Sequence, residues 1–132
     1  MKEEATEIFK VFTIEAAHHL PYVPSGHKCG RLHGHSFQIE VHVRGPIDPK
    51  VGWIVDFADI KGAFKTIEDQ IDHRYLNEVE GLENPTSENI ASWVWHKLKS
   101  SLPSLSRIVV RETCTSGCIY YGEPETRPMP AH

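Results

Sequence analysis

The sequence predicts an α+β fold, in which an antiparallel four-stranded sheet is covered on one face by two helices. Three observations lead to this prediction: the patterns follow the order two strands, two helices, two strands; one segment alternates strictly between apolar and polar residues; and two segments repeat apolar residues at helical spacing. With 132 residues, of which 39% are hydrophobic, the chain is the size of a single domain, residues 1–132, with one core.

The first two strands are predicted on either side of a turn-rich loop. Residues 8–18 are mostly apolar or strand-forming, whereas residues 20–32 contain two prolines and two glycines and are therefore expected to form a loop. From Phe37 to Val43 apolar and polar residues alternate, which is the clearest period-two signal in the chain. The dipeptide Gly45-Pro46 ends this second strand.

Both helices are predicted from apolar residues at helical spacing. The first follows residues 53–55, and the second begins at residues 85–88, where Thr86 or Ser87 is the N-cap and Glu88 lies in the first turn. The apolar face of the first helix comprises Phe57, Ile60, Phe64, Ile67 and Ile71. The apolar face of the second comprises Ile90, Trp93, Val94 and Leu98.

Two more strands complete the predicted sheet. One face of the third strand is expected to comprise Ile108, Val110, Glu112 and Cys114. Gly117 turns into a short fourth strand at residues 118–121. Residues 123–132 are proline-rich and are interpreted as a tail, so the ordered core is expected to span about residues 8–122.

Composition and charge argue against several classes of protein. The formal net charge is -4 and there is no basic block, so binding to nucleic acid is not expected. No apolar run approaches membrane-spanning length, and the polar residues 1–10 do not resemble a signal peptide, so no membrane partner is expected. Three cysteines without a secretion signal favour the reducing cytoplasm. Neither a G-x-G-x-x-G motif nor a P-loop is present, so no nucleotide cofactor is predicted.

Three of the nine histidines form a candidate metal site. His33 and His35 are two residues apart on the second strand, so both imidazoles are expected to point to its apolar face. His18, at the end of the first strand, would supply a third nitrogen, although His19 competes with it for this role. Three histidines without a fourth protein ligand are typical of a catalytic zinc with an open position. The alternative is a set of strand-end histidines that hydrogen-bond to the backbone.

The three cysteines have different expected roles. Cys29, four residues before His33, has three interpretations: a fourth zinc ligand that closes the site, a metal-activated thiol that acts as base or nucleophile, or a small buried side chain. Its polar neighbours argue against the last of these. Cys114 and Cys118 are spaced Cys-x3-Cys without a second such pair, and we interpret them as structural thiols.

Two further sets of polar residues have both a structural and a functional interpretation. Asp72-His73, after the first helix, is either a pair in which the carboxylate orients a proton acceptor or a helix C-terminus, where the helix dipole favours His. Glu112, on an inward face, needs a partner because a lone buried carboxylate is costly. That partner is either Arg107 or Lys61, or the guanidine-like edge of a bound pterin or guanine, which matches a carboxylate with two parallel hydrogen bonds.

Taken in order, the motifs resemble the 6-pyruvoyl-tetrahydropterin synthase superfamily, and within it the 6-carboxytetrahydropterin synthases of the queuosine pathway. The matching segments read FTIEAAH, CGRLHGH, GWIVDF, DHRYLN, ENPTSE and ETCTSGC, at residues 12–18, 29–35, 52–57, 72–77, 83–88 and 112–118. Each motif is weak alone, but the ordered set extends over nearly the whole chain and is specific.

The resemblance implies a role for each candidate residue. The zinc ligands would be His18, His33 and His35, so Zn2+ is the expected cofactor. The proton-transfer group would be Cys29, Asp72 and His73. The residues that bind the pterin would be Glu112, which anchors the ring, with Thr86 and Ser87 lining the pocket.

The resemblance also implies an assembly and a reaction. It implies a T-fold, in which several subunits join their sheets into a barrel, with sites between subunits of a homohexamer built as a dimer of trimers. The implied reaction converts 7,8-dihydroneopterin triphosphate, the expected small-molecule partner, into 6-carboxy-5,6,7,8-tetrahydropterin, acetaldehyde and triphosphate. The Cys-x3-His-x-His spacing is shorter than in the pyruvoyl-forming relatives and favours this reaction. The alternatives are a 6-pyruvoyl-tetrahydropterin synthase-type enzyme, a non-catalytic zinc module, and a pterin- or purine-binding protein without turnover.

Overall fold

The computed structural model describes residues 6–112 and 115–122, which form an α+β structure as predicted. Two helices accompany a five-stranded sheet in which the strands lie in the order β3-β1-β2-β4-β5. The elements along the chain are β1 (Thr6–His18), β2 (His33–Gly45), α1 (Phe57–Ile71), β3 (Arg74–Tyr75), α2 (Ser87–Leu98), β4 (Leu105–Arg111) and β5 (Gly117–Tyr120).

The sheet is antiparallel except at one edge. The four predicted strands pair antiparallel, β1 with β2, β2 with β4, and β4 with β5. The additional strand β3 has only two residues and pairs parallel with Ala16 and Ala17 of β1. Two residues are too few to produce a period-two pattern, so the sequence gives no sign of β3.

The core lies between one face of the sheet and the two helices. Alternate residues of β2 from Phe37 to Val43 are fully buried, and the ring of Phe12 stacks on that of Phe64 in α1 with centroids 4.1 Å apart. All the residues predicted for the two apolar helix faces are buried except Phe57, the first residue of α1, which is 52% exposed. The helices therefore cover one face of the sheet, and its other face carries exposed apolar side chains such as Phe9 and Ile119.

The register of β1 and β2 determines where the candidate metal site forms. These two strands pair over their whole length, so that His18 lies opposite His33, and Ala16 lies opposite His35. The three histidines therefore meet at the end of the β1–β2 hairpin, beside its connecting loop. The short fourth strand occurs as predicted at β5, but β4 ends at Arg111, so Glu112 lies just beyond the strand rather than within it. Within the described residues, neither helix is long and apolar enough to span a bilayer.

Candidate active site

The three candidate metal ligands converge at the end of the hairpin. Each of His18, His33 and His35 offers one ring nitrogen, and these nitrogens all lie within 4.8 Å of one another. The ring centroids are 4.6 Å apart for His18 and His33, 4.6 Å for His33 and His35, and 5.3 Å for His18 and His35. Such a convergence of imidazole nitrogens is the donor set that zinc and similar metals prefer.

His18 has its two ring nitrogens in different environments. Its Nδ1 donates a hydrogen bond to the carbonyl oxygen of Pro85 at 2.8 Å, in buried surroundings. Its Nε2 is buried and has no hydrogen-bond partner. Burial lowers the pKa of His18, and this is only partly offset by the Pro85 carbonyl and the negative charge of Glu112. The ring is therefore kept neutral, with a bare nitrogen directed at the cluster, as a metal ligand must be.

His33 is oriented in the same way by the backbone. Its Nδ1 donates to the carbonyl oxygen of Arg31 at 2.6 Å, so its Nε2 is the nitrogen left as a potential ligand. Bonds of this kind, from the second ring nitrogen to a carbonyl, are the usual means by which proteins fix the tautomer of metal-binding histidines. His33 and His35 are both half-buried, so the cluster is open on the side away from His18.

The neighbouring residue His19 is engaged elsewhere. The hydroxyl of Tyr75 hydrogen-bonds with Nδ1 of His19 at 2.7 Å. Asn77 binds the backbone of His19 on both sides, accepting from its N–H at 3.0 Å and donating to its carbonyl at 2.9 Å. Of the two adjacent histidines, His18 joins the cluster and His19 fixes the end of β1.

Cys29 lies in the loop that joins β1 to β2 and does not belong to the histidine cluster. Cys29 is half-buried and belongs to a single 3-10 turn, Lys28–Gly30, in this loop. Among residues 6–112 and 115–122, the group of potential metal ligands around His18 contains only the three histidines. This arrangement favours the interpretation of Cys29 as a thiol beside an open site over its interpretation as a fourth ligand.

Asp72 and His73 form the expected pair at the end of α1. Asp72 is the C-cap of the helix, and its Oδ1 accepts from the N–H of Glu15 at 2.9 Å while lying 3.2 Å from Nδ1 of His73. His73 has a φ of 58°, which is unusual for a residue other than glycine, and its side chain is 77% exposed. His73 and His35 line the same open cleft of about 600 Å³.

Within the protein, Glu112 is partnered by a hydroxyl group and not by either of the two predicted cations, Arg107 and Lys61. Its Oε1 accepts a hydrogen bond of 2.6 Å from the hydroxyl of Ser87, the first residue of α2. Arg107 is instead paired with Glu7 at 2.7 Å, and within the described part of the chain no Lys or Arg is paired with Glu112. Glu112 and Ser87 line a cavity of about 180 Å³. The carboxylate is therefore available to a ligand.

Thr86 and Cys118 have structural roles in this arrangement. The Thr86 hydroxyl accepts from the N–H of Asn89 at 3.1 Å and so caps α2. Burial and two nearby carboxylates raise the pKa of the Cys118 thiol to about 11, which supports its interpretation as a structural thiol. Cys114 and the tail at residues 123–132 lie outside the described residues.

One short segment joins the histidine cluster to Glu112. Pro85 supplies the carbonyl that orients His18, and two residues later Ser87 supplies the hydroxyl that binds Glu112. The sequence does not predict the role of the Pro85 carbonyl, because every residue has a backbone carbonyl and the residue type does not indicate which one accepts a hydrogen bond. Tyr75 and Asn77, which fix His19, were also missed as individual residues, although both fall in the motif at residues 72–77.

Comparison with known proteins places these features in one family of enzymes. A family model described as 6-pyruvoyl tetrahydropterin synthase matches residues 7–123. The chain is 41% identical to a 6-carboxy-5,6,7,8-tetrahydropterin synthase of Synechocystis sp., over 92% of this chain and 97% of that protein. It is 31% identical to the protein of the same name from Bacillus subtilis, over 86% of this chain and 84% of that one. A structure of 6-pyruvoyl tetrahydropterin synthase from Caenorhabditis elegans superposes with a TM-score of 0.84 at 29% identity, covering 93% of this chain and 99% of that one.

Proposed function

Since the chain belongs to the 6-pyruvoyl tetrahydropterin synthase family of pterin enzymes, we propose that it is a zinc-dependent 6-carboxytetrahydropterin synthase. In this role it converts 7,8-dihydroneopterin triphosphate and one water into 6-carboxy-5,6,7,8-tetrahydropterin, acetaldehyde and triphosphate. This activity would belong to queuosine biosynthesis, in the cytoplasm. The identity of 41% over almost the full length of the Synechocystis protein of that name supports the assignment.

The observation that carries the zinc assignment is the unsatisfied Nε2 of His18. A buried polar atom without a partner costs about 1–3 kcal/mol, so its presence beside two further imidazoles calls for a ligand. His18, His33 and His35 would hold the metal and leave one coordination position open for substrate. When bound, zinc would act as a Lewis acid that binds side-chain oxygens of the substrate and makes the adjacent C–H bonds more acidic.

Glu112 would bind the pterin ring. A carboxylate that already accepts from Ser87 on one oxygen keeps enough lone pairs for the N–H groups of the guanidine-like pterin edge. Because Ser87 and Pro85 belong to one segment, the ring anchor and the metal site would be held at a fixed separation. This fixed separation would place the side chain of the substrate at the histidine cluster.

Cys29, Asp72 and His73 would transfer protons. The Asp72 carboxylate, 3.2 Å from Nδ1 of His73, would orient the imidazole. Cys29 would exchange a proton with the substrate carbons next to the bound oxygens. Within one chain, Asp72 and His73 bond to each other and to Glu15, and Cys29 bonds to Leu20 and His27. The family resemblance implies a site between subunits, and on that basis we infer that the complete proton-transfer group is assembled between subunits of a homohexamer.

The experiment that tests this function is product analysis. The zinc-loaded enzyme is incubated anaerobically with 7,8-dihydroneopterin triphosphate, volatile aldehyde is trapped, and the pterin is identified by mass. We expect one acetaldehyde for each 6-carboxytetrahydropterin. A pterin that keeps all three side-chain carbons, with no aldehyde, would place the protein with the 6-pyruvoyl-tetrahydropterin synthases, to one of which its structure is similar.

Product analysis and metal chelation together distinguish the non-catalytic alternatives. A protein that binds pterin without turnover would return the substrate unchanged. A structural zinc module would unfold when a chelator removes the metal, whereas an enzyme with an open site would remain folded and lose activity. Circular dichroism before and after chelation separates these two outcomes.

A further inference from the structure

The turn that carries Cys29 is capped by an imidazole side chain. The backbone N–H of Cys29 donates a hydrogen bond of 3.0 Å to Nδ1 of His27, the N-cap residue of this turn. We propose that His27 is a positioning residue, which fixes the thiol of Cys29 relative to the three histidines of the metal site. This inference rests on the proposed function only in that Cys29 acts on the substrate.

The other attachments of the turn lead directly to the metal site. The carbonyl oxygen of Cys29 accepts from the N–H of Leu20 at 2.7 Å, two residues after His18. At the far end of the turn, the carbonyl of Arg31 accepts from Nδ1 of His33 at 2.6 Å. The peptide groups on both sides of the thiol are therefore fixed, one to the end of β1 and the other to His27.

Besides the backbone hydrogen bonds of His27 to Pro24 and Gly30, the contribution of this residue is the side-chain hydrogen bond to Cys29. The His27 side chain is exposed, and the three-residue turn buries none of its own residues. A 3-10 turn of three residues is not stable by itself, so its conformation depends on its caps. Without the cap at His27, the N–H of Cys29 loses its acceptor. The turn is then held without it, by backbone bonds such as those from Leu20 to Cys29 and from Gly30 to residue 27, so the thiol gains freedom of movement.

The chemistry of the cap permits a rescue. The Nδ1 atom accepts a hydrogen bond, so it carries no proton, and any short side chain with an acceptor at the same place can replace it. Asparagine is a strongly preferred N-cap residue, whereas alanine and leucine offer no acceptor. His27→Ala and His27→Leu should therefore release the turn, and His27→Asn should hold it.

Turnover provides the first readout. We expect His27→Ala and His27→Leu to lower kcat about fivefold or more, with KM and zinc content unchanged. We expect His27→Asn to keep kcat within about twofold of the wild type. His96→Ala, which removes another exposed imidazole on α2, is the matched control and should keep the wild-type values.

Alkylation of Cys29 provides a readout that does not depend on the reaction. Iodoacetamide is added to the zinc-loaded protein and the rate at Cys29 is followed by peptide mass. Cys118 does not interfere, because its pKa of about 11 keeps it a thiol at neutral pH. We expect alkylation several-fold faster in His27→Ala and His27→Leu, and at the wild-type rate in His27→Asn and His96→Ala.

The outcomes separate this inference from the proposed function. Wild-type alkylation rates and kcat in both His27→Ala and His27→Leu would overturn it, as would a His27→Asn variant that behaves like His27→Ala. A wild-type protein that produces no acetaldehyde would instead contradict the proposed function, and the alkylation rates would still decide the role of His27.

Discussion

At the scale of single residues, the site depends on side chains with two polar atoms. One of these atoms is hydrogen-bonded to the protein, and the other is available to bind a ligand. His18 uses Nδ1 to bind the Pro85 carbonyl and leaves Nε2 without a partner. Glu112 uses one oxygen to accept from Ser87 and has no cation beside it among the described residues. In both cases the bound atom fixes the orientation and the other atom is available for a ligand.

Glu112→Gln is the substitution that tests the pterin anchor. A neutral amide presents one acceptor oxygen where the carboxylate presents two, so the paired hydrogen bonds to the pterin edge are lost. We expect binding of a pterin ligand, measured by calorimetry, to weaken by about 1.5–3 kcal/mol, with the zinc content unchanged. Glu78→Gln, at an exposed carboxylate elsewhere, is the control. Unchanged pterin affinity in Glu112→Gln would leave Glu112 with a structural role.

At the scale of elements, the start of α2 and the residues just before it perform two tasks. Thr86 caps the helix, while Pro85 before the cap contacts His18 and Ser87, the first residue of the helix, contacts Glu112. The conformation that begins the helix is therefore also the conformation that connects the metal site to the pterin anchor.

Thr86→Ala tests the cap within this segment. Loss of the hydroxyl leaves the N–H of Asn89 without its acceptor, and we expect the free energy of unfolding, measured by urea denaturation, to fall by about 1 kcal/mol. Thr86→Ser keeps the acceptor and should remain within a few tenths of a kcal/mol of the wild type. Equal stability of the Ala and Ser variants would show that the cap is not what stabilises the start of α2.

Much of the fold was predictable because its signals are local. The alternation in β2 identified the face that His33 and His35 share, and helical spacing located α1 and α2. The opposition of His18 and His33 depends on the register of two strands, which neither strand specifies alone. The contact between Ser87 and Glu112 joins residues 25 positions apart, and the orientation of His18 depends on a carbonyl 67 positions away. Contacts of these kinds follow from the tertiary fold and not from any local pattern.

At the scale of the whole molecule, one face of the sheet has no helix packed against it within residues 6–112 and 115–122. The helices pack on one face, while on the other Phe9, Val11 and Ile119 are 51%, 42% and 49% exposed. The two edge strands, β3 and β5, are short, with two and four residues. Joining of sheets between subunits would cover the apolar face and pair the edges, which is the physical reason to expect a barrel.

The exposed face and short edges predict an assembly of several subunits, and the family resemblance supplies their number, so we predict a homohexamer in solution. Light scattering at micromolar concentration should give a mass six times the 15.0 kDa of one chain. Phe9→Glu places a charge on the uncovered face and should lower this mass, since burial of an unpaired carboxylate is unfavourable. The dissociated variant should retain zinc but lose turnover, because the proton-transfer group is proposed to form between subunits. A wild-type monomer would contradict both the barrel and the shared site.

The central claim is that three histidines from two strands form an open metal site, and zinc stoichiometry tests it most directly. Metal analysis of the purified protein should give one zinc per chain, and His33→Ala and His35→Ala should each lose it. Cys29→Ala is the matched comparison. It should keep full zinc and pterin binding, because the thiol is proposed not to be a ligand. It should lose turnover, because the thiol is proposed to transfer a proton. Full zinc occupancy in both histidine variants would contradict the site, and loss of zinc in Cys29→Ala would show a closed site with four protein ligands.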